Sequence, residues 1–238
     1  MKLYDSLIAD LDEKLSAQTP KTFRCAPERA WQDAGSTEFI MMKDAAYELG
    51  GFGKDSVNCT CVTTTPGIVP EDEIFVYGPD LNEIKSDVSF ARIVCLEVDD
   101  LGEDEEAYNA IRNLEFVRYN VFPKGYMSRI SAESNQEQVR LSREAVQNGI
   151  TFEKVGNLYI QKYKEDPHVK HVKIVFATEA PAMKDLIADA KKVNDITKTL
   201  TTILDGIPTD CASCQMKPVC DSVDGLREMH MKQRKNAK

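Results

Sequence analysis

No stretch of this chain approaches the roughly 20 consecutive apolar residues that a membrane-crossing helix needs. The opening Met1-Lys2-Leu3-Tyr4-Asp5 has none of the build of a secretory signal. Basic residues are in deficit: a net charge of -9 leaves nothing with which to assemble the concentrated cationic face that nucleic-acid phosphates require. There is no Gly-x4-Gly-Lys-Ser/Thr phosphate loop, and Gly50-Gly51-Phe52-Gly53 reads as a turn. His168 and His171 stand beside a strand-like run without any serine or cysteine nucleophile motif, so no catalytic base is assigned. Internal repeats and low-complexity segments are missing too. These absences point to a soluble, cytoplasmic protein with neither membrane nor nucleic acid as partner. Its 238 residues suffice for a well-buried core in one or two domains.

Cysteine is what the chain does have. Of seven in all, three fall in the segment Asp210-Cys211-Ala212-Ser213-Cys214-Gln215-Met216-Lys217-Pro218-Val219-Cys220. An odd count and the missing signal argue against disulfides. A Cys-x2-Cys turn instead brings two thiolates to one ion or one cluster face, and the third closes over the same site past Pro218. His230 completes the pattern Cys-x2-Cys-x5-Cys-x9-His, a set suited to zinc. The remote thiols of Cys25, Cys59, Cys61 and Cys95 offer another route to a fourth ligand, and four thiolates favour a [4Fe-4S] cluster. Cys59-Thr60-Cys61 is itself a Cys-x-Cys, whose side chains share one face if it lies on a strand.

Hydrophobic spacing predicts an amphipathic helix over 2–17, carried by Leu3, Leu7, Ile8, Leu11 and Leu15, whose apolar face packs on the body or on a partner. Strands are expected over 39–47, 57–65, 73–77 and 90–98, and again at 172–176. The acidic run from Glu97 to Glu106 reads as a solvated loop entering a helix N-terminus. Helical stripes follow at Ala107, Ile111, Leu114 and Val117, then at Val139, Ala145 and Val146, then over 152–164 up to Asp166-Pro167, and finally over 182–204. The fold expected is α+β, a mixed sheet with packed helices, followed by a small cysteine-rich metal-binding C-terminal segment. Its divisions are an N-terminal helix and linker over 1–36, the α+β domain over 37–205, and the cysteine segment over 206–238, with Gly206-Ile207-Pro208 at the boundary.

Three phrases in order resemble the acetyl-CoA synthase family, the β subunit of the carbon monoxide dehydrogenase/acetyl-CoA synthase complex. They are Tyr77-Gly78-Pro79-Asp80-Leu81; Val139-Arg140-Leu141-Ser142-Arg143-Glu144-Ala145-Val146 leading to Gly149-Ile150-Thr151-Phe152; and the closing cysteine loop. The resemblance spans residues 39–230 and maps onto that family's middle domain plus its first cysteine loop. It implies a [4Fe-4S] cluster held in the pattern Cys-x2-Cys-x8-Cys-x9-Cys. Cys211, Cys214 and Cys220 match the first three ligands with a shorter loop, and His230 stands at the fourth position. The family activity is that of a CO-methylating acetyl-CoA synthase, an acyltransferase. The Cys-Gly-Cys that holds its second nickel has no counterpart here, so the resemblance implies no complete nickel site. Coenzyme A contacts in the family involve a tryptophan and arginines of the middle domain. Arg118, Lys124, Tyr126, Arg129, Arg140 and Arg143 populate the corresponding stretch, against an alternative in which they are solvated helix charges paired with Glu137 and Glu144. The lone Trp31 lies outside it and reads as a core or packing residue.

The reading that results is a short relative of that β subunit carrying one [4Fe-4S] cluster. It would serve electron transfer, assembly or one-carbon and corrinoid metabolism in an anaerobic setting beside a protein partner. A structural zinc module on an interaction domain is the alternative. A third is a catalytic subunit whose nickel ligands come from a second polypeptide.

Overall fold

The structure is a computed structural model and describes residues 2–102, 105–131, 136–179, 183–205, 210, 212–222, 226, 228, 230 and 231. The strands are β1 (Lys21–Arg24), β2 (Ala45–Leu49), β3 (Ser56–Thr63), β4 (Glu73–Tyr77), β5 (Phe90–Val98), β6 (Tyr126–Ile130), β7 (Glu137–Ser142) and β8 (Val169–Ala177). The α-helices are α1 (Asp5–Leu15), α2 (Glu105–Phe116), α3 (Arg143–Gln147), α4 (Phe152–Tyr163), α5 (Met183–Leu204) and α6 (Lys217–Ser222). An α+β fold with a mixed sheet is therefore what the chain adopts. The larger sheet has the order β1-β4-β8-β5-β3, with β4/β8 and β5/β3 parallel and the other pairs antiparallel. The smaller sheet, β2-β7-β6, is antiparallel throughout.

Every residue of β3 and β5 is buried, which requires cover on both faces. On one face α5 packs against β3, and α1 is tied to α5 by Tyr4 Oη and Thr197 Oγ1 at 3.2 Å and by the Lys14–Asp189 ion pair. Leu7, Ile8, Leu11 and Leu15 of α1 enter the same core as the sheet, so the apolar stripe of the first helix is spent on the body. On the other face α4 lies on β4 and β8. There Phe90, Phe152 and Phe176 stack with centroids 4.6 to 6.4 Å apart.

Two expectations change. The run at 39–47 forms a strand only from Ala45. Phe39, Met41 and Met42 are exposed, and of residues 39–44 Ile40 alone is buried, in a small cluster with Ala45 and Met127. Val139 belongs to β7 rather than to a helix. Glu137, Val139 and Leu141 alternate inward, and the helical period starts only where Ser142 caps α3 by accepting the Ala145 amide. β1 and β6, too short for a clear pattern, were not anticipated.

Helix α4 comes close enough to the sheet because residue 156 is glycine: a Cβ there would stand 2.8 to 3.0 Å from three carbons of Ile74. We expect Gly156→Val to overpack this contact and to lower the free energy of unfolding by about 1–3 kcal/mol. The check is the midpoint of urea denaturation at unchanged slope.

Candidate functional site

The cysteines separate into two environments. Cys59 and Cys61 lie on the face of β3 turned toward α1 and α5, and Cys95 is the register partner of Cys61 on β5. All three are 0–2 % exposed. Hydrogen bonds with Cys59 and Cys95, together with burial, push the Cys61 thiol well above its ordinary pKa. These three thiols are enclosed in the core, which corrects the idea that they reach the C-terminal loop as ligands. Cys25 follows β1 at the sheet edge opposite β3, and burial raises its pKa. By contrast Cys214, in the turn before α6, and Cys220, on α6, are half-buried. Helix α6 packs against α5, and the buried Leu226 anchors the segment to the main core. His230 is half-buried on the following helical residues, while Cys211 lies outside the described residues. Among the described residues no three His, Cys, Asp or Glu side chains form a group able to hold a metal.

The six residues set against coenzyme A are distributed over several places. Arg118 and Tyr126 are buried at 2 % and 3 % exposure and border a narrow cleft of about 60 Å³. Arg118 donates to Asn58 Oδ1 at 2.5 Å and to Tyr119 Oη at 2.9 Å, and it pairs with Glu115. Arg140 pairs with Glu48 and donates to the Ile40 carbonyl at 2.8 Å. Lys124, Arg129 and Arg143 are exposed; Lys124 borders a cavity of about 400 Å³, and Arg129 a depression beside Gly50-Gly51-Phe52-Gly53.

Sequence reasoning missed a buried ion pair that joins the two sheets. Glu137 of β7 is 0 % exposed and Arg92 of β5 is 1 % exposed. Arg92 Nε donates to Glu137 Oε2 at 2.8 Å, Ser128 Oγ donates to Oε1 at 2.6 Å, and Asn58 Nδ2 donates to Oε2 at 2.5 Å. The main chain of Glu137 is held as well, by Ser56 Oγ, which donates to its carbonyl at 2.7 Å. Burial works against the Arg92 cation, but the Glu137 carboxylate outweighs it and holds the pKa above the ordinary arginine value. Its guanidinium stacks on the Tyr159 ring, 4.3 Å from the centroid. An arginine inside the otherwise apolar Phe90-Ala91-Arg92-Ile93-Val94 was the legible signal.

Two of the phrases noted in the sequence meet in space. The Asp80 carboxylate accepts the amides of Leu81 at 2.6 Å and Phe152 at 2.7 Å, fastening the turn after β4 to the start of α4. Burial raises the pKa of this carboxyl, and the two amides oppose the rise. A comparison with known protein families matches residues 33–183 to the CO dehydrogenase/acetyl-CoA synthase complex beta subunit, CdhC. The chain belongs to this family. The CdhC match takes in the whole small sheet, β3 to β5, β8, the Arg92–Glu137 pair and the Asp80 clasp, and it ends where α5 begins. The cysteine segment lies beyond it. A search of curated proteins finds no match.

Leaving either charge of the buried pair alone should be severe. Arg92→Met and Glu137→Leu are each expected to cost about 3–5 kcal/mol of stability, and the double replacement Arg92→Met with Glu137→Leu less than the sum of the two singles. Thermal or urea unfolding of the four proteins forms the cycle that checks it.

Proposed function

We propose that this CdhC-family chain binds a [4Fe-4S] cluster through Cys211, Cys214 and Cys220, with His230 at the fourth position. It would work beside a protein partner in a CO dehydrogenase/acetyl-CoA synthase or corrinoid system. The observation that carries the reading is the Cys-x2-Cys-x5-Cys spacing, together with the state of its thiols. Cys214 and Cys220 are half-buried, whereas Cys59, Cys61 and Cys95 of the sheet are sealed in the core. Soft, accessible sulfur donors suit iron-sulfur chemistry, and a histidine in place of a thiolate removes negative charge and raises the potential of such a centre. When bound, the cluster supplies one-electron transfer or a template for assembly in an anaerobic cytoplasm. The chain's own contribution is to seat the donors: α6 rests on α5, and Leu226 pins the segment to the core, so the loop is presented from a rigid helix. Residues 206–238 form the cluster-bearing part and 37–205 the family domain on which it sits.

Anaerobic purification followed by assay of iron, acid-labile sulfide, zinc and nickel tests this directly. About four irons and four sulfides per chain, with visible charge-transfer absorption, is the expected result. Cys214→Ser and Cys220→Ser should each abolish most of that absorption while leaving the far-ultraviolet spectrum of the α+β body unchanged. One zinc per chain in a colourless protein would instead assign the same residues to a closed structural site.

A further inference from the structure

Beside the small sheet, the chain from Trp31 to Asp44 and the start of α3 enclose a cavity of about 400 Å³ that no part of the cysteine reading uses. Its walls are built by local constraints. Trp31 is fixed from two sides: its indole Nε1 donates to the Lys124 carbonyl at 2.8 Å, and the Lys154 ammonium sits 5.3 Å from its ring centroid. Gly125 shapes the floor. It has φ +72°, and a Cβ there would stand 2.6 Å from Ala145 Cβ and Ser142 Oγ. Its amide donates to Glu38 Oε2 at 2.5 Å, which draws the 38–44 segment over the opening.

The lining has a definite charge. Three carboxylates, Glu38, Asp44 and Glu144, face the single ammonium of Lys124 among the described lining residues. Asp44 and Glu144 are exposed, and among the described residues neither side chain has a hydrogen bond or ion pair. Phe39, which lines this acidic hollow, is 73 % exposed, and Met42, between the lining residues Ile40 and Asp44 in the chain, is 68 % exposed. Exposed apolar side chains on the segment that borders an acidic centre match a protein surface that inserts one cation between apolar neighbours. A small amine would satisfy the carboxylates but leave Phe39 and Met42 in water.

We propose that this cavity receives a lysine or arginine side chain, flanked by apolar residues, from a protein partner. The cation enters between Asp44 and Glu144, and Phe39 and Met42 cover its neighbours. The inference rests on the reading that the chain works with a protein partner, but it does not depend on the cysteine segment.

Trp31 is the only tryptophan of the chain and lines the cavity, so its emission reports occupancy without a label. The probes are capped tripeptides, Leu-Arg-Leu and Leu-Glu-Leu, titrated into the full-length protein. A saturable change in emission with the arginine peptide and none with the glutamate peptide is expected. The double variant Asp44→Asn with Glu144→Gln should weaken the arginine peptide by about tenfold or more, and Lys124→Met, which removes the competing cation, should tighten it by about threefold. Cys214→Ser must leave the titration unchanged, so failure here is distinct from failure of the cluster reading. Equal responses to the two peptides, or no response to either, would overturn the proposal. So would a double variant that binds as tightly as the parent, or a Lys124→Met protein that binds more weakly.

Discussion

The two sheets share no strand, and the contact between them is organised by the carboxylate of Glu137. It lies at the beginning of β7, and it accepts from Arg92 on β5, Asn58 on β3 and Ser128 on β6. Asn58 in turn accepts from Arg118, just after α2, and Arg92 stacks on Tyr159 of α4. One anion therefore touches or communicates with most layers of the fold. In this dry interior a charge without its counterpart costs several kcal/mol, and the sheets are held to the one arrangement that keeps the pair intact. The conformation of the 31–44 segment follows from that placement. Arg140 on the outer face of the small sheet takes the Ile40 carbonyl, and Met127 packs on Ile40, so the segment lies where the sheet puts it.

The CdhC match and the cysteine segment occupy different parts of the chain, and the structure explains why the family phrases lie where they do. Tyr77-Gly78-Pro79-Asp80-Leu81 and Gly149-Ile150-Thr151-Phe152 are the two sides of one clasp, in which a buried carboxylate caps the first amide of a helix that carries part of the core. Their role is to join β4 to α4. Function in this chain is consequently argued from side chains outside those phrases: the half-buried thiols of the tail and the acidic hollow beside α3.

Much of the architecture was legible in the residues. Long elements with unambiguous periods, such as α5 and the largely apolar, wholly buried β5, follow from the sequence because burial along one stripe or on both faces leaves a repeating mark. The sharing of one face by Cys59 and Cys61 was equally available, since side chains alternate along a strand. What failed were segments in which an apolar composition is not buried. The exposed Phe39, Met41 and Met42 look in sequence like the core of a strand.

The sequence by itself determined the α+β class, the principal helices and strands, the family resemblance and the spacing of the C-terminal sulfur donors, because each is written in local periodicity or in short-range spacing. Only the tertiary structure decided that Arg92 and Glu137 meet, that three cysteines are sealed beneath α1 and α5, that Arg118 and Tyr126 face inward, and that Trp31, Asp44 and Glu144 enclose a common hollow. Those relations join residues tens of positions apart. They are set by which surfaces can be removed from water together, a property of the packed whole that no local stretch of the chain contains.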